Sequence, residues 1–464
     1  MKNLARLILL CGLSIFQLTG LKATDYYVKQ AASGNSNGQD WANAYGPFEF
    51  ATTLLTAQAG DIFHLAAGTY VPYYDLRGNA NPSNPRNKTF YLRNGIIIQG
   101  GYDADGSNYA VDKDSPGKVV LSGDIGNSGV YDNTYHVVVI AGSVNHPATR
   151  LENLTVMQGY ANGGGNNSKG AGIFIGKNSQ ITLSNLHVEY NSSNDDASGI
   201  FIDTDSKVTI SYSKINNNTN IGKSDVWGGG VGVWYSELYI DNSVISDNSA
   251  KYGAGIHVTR GKLSSENCVY SGNIAEEHGG AVDNYSSSEI SFTSDSVVNN
   301  RAYEAGGIHN EASSSFIGSN VVFENNTSYT GGAFFNRGDC KAEFNDCIFD
   351  GNAAENRGGG IENRGTMGIN RNRIINNKVI AAAWGGGINQ NGGRLTIKQS
   401  EISDNKAKYG AGFSMEAGIA VISNTTISGN VATSRGGGVY SYGGQLTLIG
   451  ATVTNNTAPE HSGS

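Results

Sequence analysis

Residues 402–413 read ISDNKAKYGAGF, and residues 245–256 read ISDNSAKYGAGI, so nearly the same twelve residues occur twice, 157 positions apart. Both copies belong to a longer repeat in which a pair of small residues, mostly glycine or alanine, precedes an apolar residue. The repeat recurs every 25 to 31 residues, and six such steps separate the two quoted copies. The apolar residues of the eleven repeats are Ile173, Ile200, Val231, Ile256, Val282, Ile308, Phe334, Ile361, Ile388, Phe413 and Val439.

A second motif runs in phase with the first and ends in asparagine. In LTIKQSEISDN (395–405), apolar residues alternate with polar ones before the closing Asn405. Asparagine tolerates the left-handed backbone conformation that a tight turn needs, and its amide can bond the amides of neighbouring repeats. We therefore expect a column of stacked asparagines, one from each repeat: Asn191, Asn218, Asn248, Asn273, Asn300, Asn326, Asn352, Asn377, Asn405, Asn430 and Asn456.

The period and the internal pattern together predict the fold. A fixed repeat near 26 residues is typical of a solenoid. Within each repeat, apolar residues alternate at period two in short runs broken by turn residues, which indicates short strands and leaves no room for a helix of normal length. The sequence therefore predicts an all-β fold, a right-handed parallel β-helix of about 26 residues per coil, with like residues stacked about 4.8 Å apart.

Composition and charge restrict the location of the protein and its partners. Residues 1–23 have a positive start, a short apolar core and a small residue at Ala23, as an export signal does. The chain carries a formal charge of −8, which becomes −11 when Lys2, Arg6 and Lys22 leave with that signal. An acidic exported protein is a poor ligand for nucleic acid, and no later apolar run is long enough to span a membrane. We expect an exported, extracellular or outer-membrane-surface protein that is a monomer.

The residues after the signal divide into two parts. Residues 24–148 form an N-terminal cap and lead-in coils, with strands predicted at 26–30, 61–70 and 94–102. A short helix is predicted at 47–60, with Pro47 in its first turn and Gly60 past its end. Residues 149–464 form the β-helix repeats. Because the sequence stops at 462–464, in register with an earlier glycine run, we expect the natural protein to continue beyond it.

Two cysteines occupy one position of the repeat, five residues before the stacked asparagine. Cys268 and Cys347 are three coils apart there, roughly 14 Å by the strand spacing and beyond the reach of a disulfide. We predict that both are buried free thiols.

Two sets of motifs resemble known families. GGAV (279–282) and GGAF (331–334), with FENN (323–326) and FDGN (349–352), resemble the GGA(I/L/V) and FxxN repeats of chlamydial polymorphic outer-membrane proteins, which are surface-exposed β-helices associated with adhesion. AGDIFHLAAGTY (59–70), FYLRNGIIIQGGYDADG (90–106) and LSGDIGNSGVYDNTYHVVV (121–139) look like the opening of secreted right-handed β-helix proteins of Bacteroidota that carry a C-terminal sorting anchor. These resemblances imply a surface location and do not specify an activity.

The candidate functional residues lie on one strand of the repeat. If its first apolar residue points inward, the next residue points outward. Over coils 256–364 this outward face mixes charged and aromatic residues, whereas the inward positions between them form an amide column. Candidate binding residues are Trp234, His257, Asp283, Tyr285, His309, Arg337 and Glu362.

Three interpretations of this face compete. It can be a solvated surface with stacked opposite charges, each pair contributing little stability. It can be a groove for a polysaccharide or a host or cell-surface glycan, with the aromatic rings stacking on sugars. It can also be the active site of a polysaccharide lyase or glycoside hydrolase, built from His309, Glu311, Arg337, Glu362 and Arg364.

The enzyme interpretation assigns specific roles. Arg337 or Arg364 would neutralise a uronate carboxylate, and His309 would remove the adjacent proton. Alternatively, Glu311 and Glu362, two coils apart, would form the carboxylate pair of a hydrolase. We favour an adhesive or glycan-binding rod over an enzyme, because a solenoid brings many residues this close without purpose.

Metal binding has weaker support in the sequence. Asp283 with Glu311 or Glu362 could hold Ca²⁺ in the lyase interpretation, and DADG (103–106) lacks the full calcium-loop spacing. His257, Asp283 and His309 on successive coils are only three donors, whereas a closed zinc site usually has four. We therefore predict no metal site and no required cofactor.

Overall fold

A computed structural model describes residues 23–93, 95–109, 118–126, 129–142, 148–222, 225–381 and 383–459. The predicted export signal lies outside these ranges except for Ala23, as do the last residues, 460–464. None of the helices within the described ranges has the length and hydrophobicity needed to cross a membrane.

The described chain winds into a parallel β-solenoid, as predicted. Ile256 pairs with Val282, which pairs with Ile308, so each coil stacks on the next at the period read from the sequence. Two lead-in strands and the strands that follow the glycine pairs form column A: Phe90–Leu92, Val138–Ile140, Ile173–Ile175, Ile200–Ile202, Val231–Trp234, Ile256–Thr259, Val282–Tyr285, Ile308–Asn310, Phe334–Asn336, Ile361–Asn363, Ile388–Lys398, Phe413–Ser423 and Val439–Ser441.

Two further columns complete the main sheet, and several long strands run through more than one column. Column B consists of Asp25–Val28, Ile62–Ala66, Ile97–Tyr102, Thr149–Met157, Gln180–Glu189, Lys207–Ser211, Glu237–Asp241, Lys262–Glu266, Glu289–Thr293, Ser315–Ser319, Lys341–Asn345, Thr366–Asn370 and Gln445–Ile449. Column C consists of Gly68–Tyr70, Val119–Ser122, Lys214–Asn216, Val244–Ser246, Val269–Ser271, Ser296–Val298, Val322–Glu324, Ile348–Asp350, Arg373–Ile375, Glu401–Ser403, Thr426–Ser428 and Thr452–Thr454.

Column D lies between the stacked asparagines and the next glycine pair. It is divided into two five-stranded sheets at coil 301–304, which pairs through isolated bridges. Its strands are Tyr160–Ala161, Ser192–Ser193, Thr219–Asn220, Ser249–Tyr252, Ile274–His278, Thr327–Thr330, Ala353–Arg357, Lys378–Val379, Lys406–Tyr409 and Val431–Arg435.

The N-terminal segment belongs to the same solenoid. Its strands Asp25–Val28 and Ile62–Ala66 open column B, although this part of the sequence lacks the repeat motif. The predicted helix is present but ends early, at Pro47–Leu54, and its Phe50 ring packs on Phe63 and Phe90 of the first coils. Short 3-10 helices occur at Pro85–Asn87, Gly129–Asp132 and Gly165–Ser168.

The stacked asparagines form a buried hydrogen-bonded ladder, hereafter the asparagine ladder. In its middle, Asn300 Nδ2 donates to Asn326 Oδ1 at 3.0 Å, and Asn326 Nδ2 donates to Asn352 Oδ1 at 3.0 Å. The prediction that the ladder residue itself is left-handed is wrong. The residue before it has the positive φ, 57° at Asn299 and 53° at Asn325, so the ladder residue is free to point its amide inward.

A second amide ladder runs inside column A, where an inward amide column was expected. Asn284 Nδ2 donates to Asn310 Oδ1 at 2.7 Å, and the chain of donors continues in the same sense through Asn336 and Asn363 to Gln390. All five side chains are buried. Both ladders therefore satisfy most of their polar groups inside an otherwise apolar core, and Asn284 Oδ1, at the start of the second ladder, has no partner among the described residues.

The predicted free thiols are confirmed. Cys268, Cys340 and Cys347, the three cysteines of the described residues, are buried and unpaired. Burial raises the pKa of the Cys268 and Cys347 thiols to about 11 and that of Cys340 to about 12. In the column of small residues that holds Cys268, Asp295 Oδ1 accepts the Cys268 backbone N–H at 2.7 Å.

Candidate functional site

The predicted site residues lie along one exterior strip, which we call the seam. It consists of three neighbouring stacks: the residue before each glycine pair, and the first and second outward residues of column A. For the central coils these are Tyr252, His278, Glu304, Thr330 and Arg357; His257, Asp283, His309, Phe335 and Glu362; and Thr259, Tyr285, Glu311, Arg337 and Arg364.

The interpretation of this strip as a solvated face is wrong for its middle stack. His257, Asp283, His309 and Glu362 point away from the apolar core, as predicted, yet each is at most 1% exposed. The backbone bends through a left-handed residue just before column A, for example Gly279 with φ 64°. This bend lets the stack before the glycines close over the middle stack, and the rings of His278 and His309 lie 4.4 Å apart.

Asp283 bridges two histidines on neighbouring coils. Its Oδ2 lies 3.0 Å from His257 Nδ1, and its Oδ1 lies 3.1 Å from His309 Nδ1. The outer nitrogen of His257 is 2.6 Å from Thr259 Oγ1. Burial by itself would raise the pKa of Asp283, but the two histidines more than offset it and hold the pKa below its usual range.

Two residues outside the sequence-based set complete this cluster. His278 Nε2 and His309 Nε2 lie 3.4 and 3.5 Å from Glu304 Oε2. Burial alone would raise the pKa of Glu304. The hydrogen bond and charge of His309, together with the Arg337 guanidinium, more than offset this effect and lower the pKa to about 2. Burial lowers the pKa of His309, but its carboxylate neighbours raise it to about 9.

Arg337 and Glu311 close the outer side of the cluster. Arg337 Nε lies 3.3 Å from His309 Nε2, and its guanidinium pairs with Glu304. Glu311 Oε1 lies 3.4 Å from His278 Nδ1 and 3.6 Å from His309 Nδ1. The predicted residues His309, Glu311 and Arg337 are therefore in contact, but they are engaged with one another.

The second acidic residue of the enzyme interpretation is inaccessible. Glu362 accepts hydrogen bonds from Asn389 Nδ2 at 2.8 Å and from Arg364 Nε at 3.1 Å, and it is completely buried. Burial raises its pKa to about 7, although Arg364 opposes this shift. A raised carboxyl pKa suits a general acid, but a substrate cannot reach this one. The prediction that Glu311 and Glu362 flank a substrate as an exposed pair is therefore wrong.

The two aromatic residues predicted to stack on sugars have different environments. Trp234 is half-buried, with its ring 6.1 Å from that of Trp227 and with Lys169 Nζ 5.2 Å from its centre. Tyr285 is 40% exposed at the outer edge of the seam. Neither forms an open platform together with the cluster at His309.

A groove lies on column D, a face that the sequence analysis did not select. Its volume is about 700 Å³, and Tyr303 and Tyr329 are 49% and 38% exposed in it. Their rings stack 5.0 Å apart with an interplanar angle of only 3°. Exposed polar and apolar side chains surround the pair: Ile274, Glu276, Arg301, Thr327, Glu355 and Ile380.

The groove results from turn length. Coils 301–304 and 327–330 cross column D in four residues, whereas 274–278 and 353–357 use five and 378–384 uses seven. The two short coils are therefore recessed between longer ones. The sequence contains this signal, since Ile308 comes eight positions after Asn300, whereas Val282 comes nine positions after Asn273.

One group of side chains could hold a metal ion. His278, Asp283, His309 and Glu311 each offer a donor atom, and these four atoms lie within 4.8 Å of one another. The DADG segment has a local role instead: Asp103 accepts from Asn108 and Lys118, and Asp105 accepts from Ser107.

Comparison with known proteins gives structural relatives of low identity. Pectate lyase Pel9A is 14% identical, with a TM-score of 0.45 over 74% of this chain and 78% of its own. The Agl-KA catalytic domain is 13% identical, with a TM-score of 0.37 over 94% and 69%. PfbA, a surface adhesin of Streptococcus pneumoniae, is 12% identical, with a TM-score of 0.33 over 94% and 92%.

Sequence comparison identifies the family. A search of curated protein sequences gives no significant match. The sequence model described as "right handed beta helix region" matches residues 118–297 and 306–463, which is more than half of the chain. The parallel coils described above have the architecture that this match implies. The protein therefore belongs to the right-handed β-helix family.

Proposed function

We propose that the protein is a non-catalytic glycan-binding rod and that the groove on column D binds the glycan. One observation carries this proposal: the parallel, exposed rings of Tyr303 and Tyr329 inside a groove with charged residues at its edges. A sugar ring has an apolar C–H face and a rim of hydroxyl groups. Aromatic rings beside a few polar groups therefore match both of its surfaces.

The charges around the tyrosines can orient a sugar chain. Glu276 and Glu355 lie on the flanking coils, and Arg301 lies between them. Carboxylates accept hydrogen bonds from hydroxyl groups, and a guanidinium donates to ring and hydroxyl oxygens. Because the groove is bounded by coils on both sides along the rod, we expect it to take a short segment of a chain.

The same geometry favours binding over cleavage. A hydrolase needs two carboxylates about 5–10 Å apart, whereas Glu276 and Glu355 are three coils apart, roughly 14 Å by the strand spacing. The seam supplies no substitute, because Glu362 is buried and Arg337 is paired with Glu304.

A glycan array with purified residues 24–464 tests this function. We expect binding to a restricted set of glycans, with affinity falling at least tenfold in Tyr303→Ala and in Tyr329→Ala. Tyr239→Ala is the matched control, because Tyr239 is as exposed as Tyr329 but lies on column B. Equal binding by all three variants would place the site elsewhere, and new reducing or unsaturated ends in the bound glycan would make the protein an enzyme.

We also propose that the rod acts outside the cytoplasm, at the cell surface. The charge and hydrophobicity of residues 1–23 support export. In the native host, mass spectrometry of surface or secreted material should find a mature chain beginning at Thr24. Recovery of the uncleaved chain from the cytoplasm alone would contradict the proposal.

A further inference from the structure

Two successive coils bring four metal-binding side chains to one point of the seam. His278 and Asp283 belong to the first coil, on either side of its glycine bend, and His309 and Glu311 belong to the next. Each contributes a donor atom, and all four atoms lie within 4.8 Å of one another. The sequence pattern did not reveal all four residues, because the position of His278 in column D holds a different residue type from one coil to the next.

Three of the six donor separations are close to those around a small tetrahedral cation, and the other three are within 4.8 Å. Bonds of 2.0–2.2 Å from zinc to nitrogen and oxygen place neighbouring donors about 3.3–3.6 Å apart. His278 Nδ1 lies 3.4 Å from Glu311 Oε1, and His309 Nδ1 lies 3.6 Å from the same oxygen. His309 Nδ1 lies 3.1 Å from Asp283 Oδ1. The side chains therefore need little movement to reach one ion.

The outer atoms of Asp283, His278 and His309, which face away from this point, also have polar partners. Asp283 Oδ2 meets His257 Nδ1 at 3.0 Å, and Glu304 Oε2 lies 3.4 and 3.5 Å from the Nε2 atoms of His278 and His309. A carboxylate behind a ligating histidine is the usual outer partner in zinc sites, because it fixes the ring and its tautomer. One carboxylate serves both rings here.

The environment of His278 Nδ1 indicates that this nitrogen lacks a bonding partner. Within the described residues, this Nδ1 is buried and makes no hydrogen bond, although Glu311 Oε1 is close. Buried polar atoms are normally satisfied. In addition, three carboxylates, Asp283, Glu304 and Glu311, converge here with Arg337 as the permanent cation. A divalent ion would both occupy the nitrogen and balance the charge.

We propose that His278, Asp283, His309 and Glu311 bind one zinc ion, which fastens two successive coils together. Two imidazoles favour a transition metal over calcium, which prefers an all-oxygen shell. Four protein ligands leave no open position, so the ion has a structural role. Side-chain exposures of 20% at His278 and 17% at Glu311 give it a path from solvent. This inference rests on no part of the glycan proposal.

Zinc titration of the EDTA-treated full chain, by calorimetry and by elemental analysis after desalting, tests this inference. We expect one zinc per chain and a higher melting temperature with zinc. His278→Gln and Glu311→Gln should each weaken binding at least tenfold. Glu304→Gln, which alters only the outer carboxylate, should weaken it 10–100-fold. His187→Gln, on a strand away from the seam, is the matched control and should bind normally.

Cobalt(II) provides a second readout that does not depend on stability. The strong visible absorption of four-coordinate Co²⁺ should appear in the wild-type chain and be lost in His278→Gln. Circular dichroism of each variant verifies that the coils remain folded, and Glu311→Gln replaces any variant that does not fold. Absence of zinc binding by the wild-type chain, or undiminished binding by His278→Gln and Glu311→Gln, would overturn the proposal.

Discussion

The asparagine ladder and the seam are built by the same stacking of coils, yet their compositions differ sharply. The ladder has asparagine at every coil from Asn191 to Asn456, and each amide before the last donates to the next one. The middle stack of the seam changes residue type at almost every coil, from His257 through Asp283 to Glu362. Positions that stabilise the fold therefore keep the same residue type from coil to coil, whereas each seam position has a residue type suited to its own neighbours.

The largest expected effect comes from breaking the ladder in its middle. Asn326→Ala should lower the free energy of unfolding by about 4 kcal/mol, because Asn300 loses acceptors for its backbone N–H and its amide in a dry core. Denaturant unfolding followed by circular dichroism measures this loss. Asn456→Ala, at the half-buried last member, is the control and should cost about half as much. Equal losses at both positions would show that the cost does not depend on the burial of the ladder residue.

The next largest effect on stability is expected at Asp295, a buried acid in the column of small residues that holds Cys268, and this effect depends on pH. Burial raises the pKa of Asp295 to about 7. The unfolded carboxyl ionises near pH 4, so the folded chain holds an extra proton between about pH 4 and 7, and its stability falls as the pH rises through that window.

Asp295→Asn should remove this dependence. The Asn372 side chain already accepts the Cys347 N–H in the same column, so an amide fits there. We expect the variant to be about 2 kcal/mol more stable than wild type at pH 8 and no more stable at pH 4. Melting temperatures across this range provide the measurement. Parallel pH profiles for the two proteins would show that Asp295 is not the titrating group.

The glycine bend within the seam should give a smaller effect. Gly279 has φ 64°, and an added Cβ would lie 2.3 Å from Val282 O, so Gly279→Ala should cost about 1–2 kcal/mol. Ala305 occupies the same bend one coil later with φ 55°. The reverse change, Ala305→Gly, should therefore gain up to about 1 kcal/mol. Thermal unfolding of the pair tests the sign, and a destabilised Ala305→Gly would contradict it.

The smallest effect is expected at the outer edge of the seam. Tyr285→Ala removes a ring that is 40% exposed and should change the free energy of unfolding by less than about 0.5 kcal/mol. Denaturant midpoints are the measurement, with Tyr239→Ala as an equally exposed control. A loss above 2 kcal/mol would mean that this edge supports the fold as the ladder does.

The coils could be predicted from the sequence because stacking imposes a period. Every step between Ile173 and Val439 agrees with the observed pairing. The lead-in coils before Thr149 could be predicted only in part, because they stack without a repeated motif. The left-handed position was misplaced by one residue, since both Asn325 and Asn326 are asparagines that tolerate it.

The candidate sites were harder to predict for a physical reason. Alternation along a strand tells which side of the sheet a residue faces, but not what covers it, so the burial of His309 and Glu362 was not foreseen. His278 and Glu304 lie across a backbone bend from column A, and no periodicity links them to it. Tyr303 and Tyr329 line a groove because their coils cross column D with one residue fewer than the coils 274–278 and 353–357 on either side.

The shared sense of the two amide ladders gives the rod an electrical direction. In both ladders each side-chain amide directs one N–H to the amide of the next coil and its oxygen to the amide of the preceding one, so these amide–amide bonds share one direction, whereas interstrand backbone bonds run both ways, as at Val282 and Glu289. The earlier end of the asparagine ladder is negative and is met by the Gly159 N–H, 2.9 Å from Asn191 Oδ1. A coil stacked on the later side of the ladder must therefore offer an acceptor oxygen, as Asn430 and Asn456 do to the coils before them.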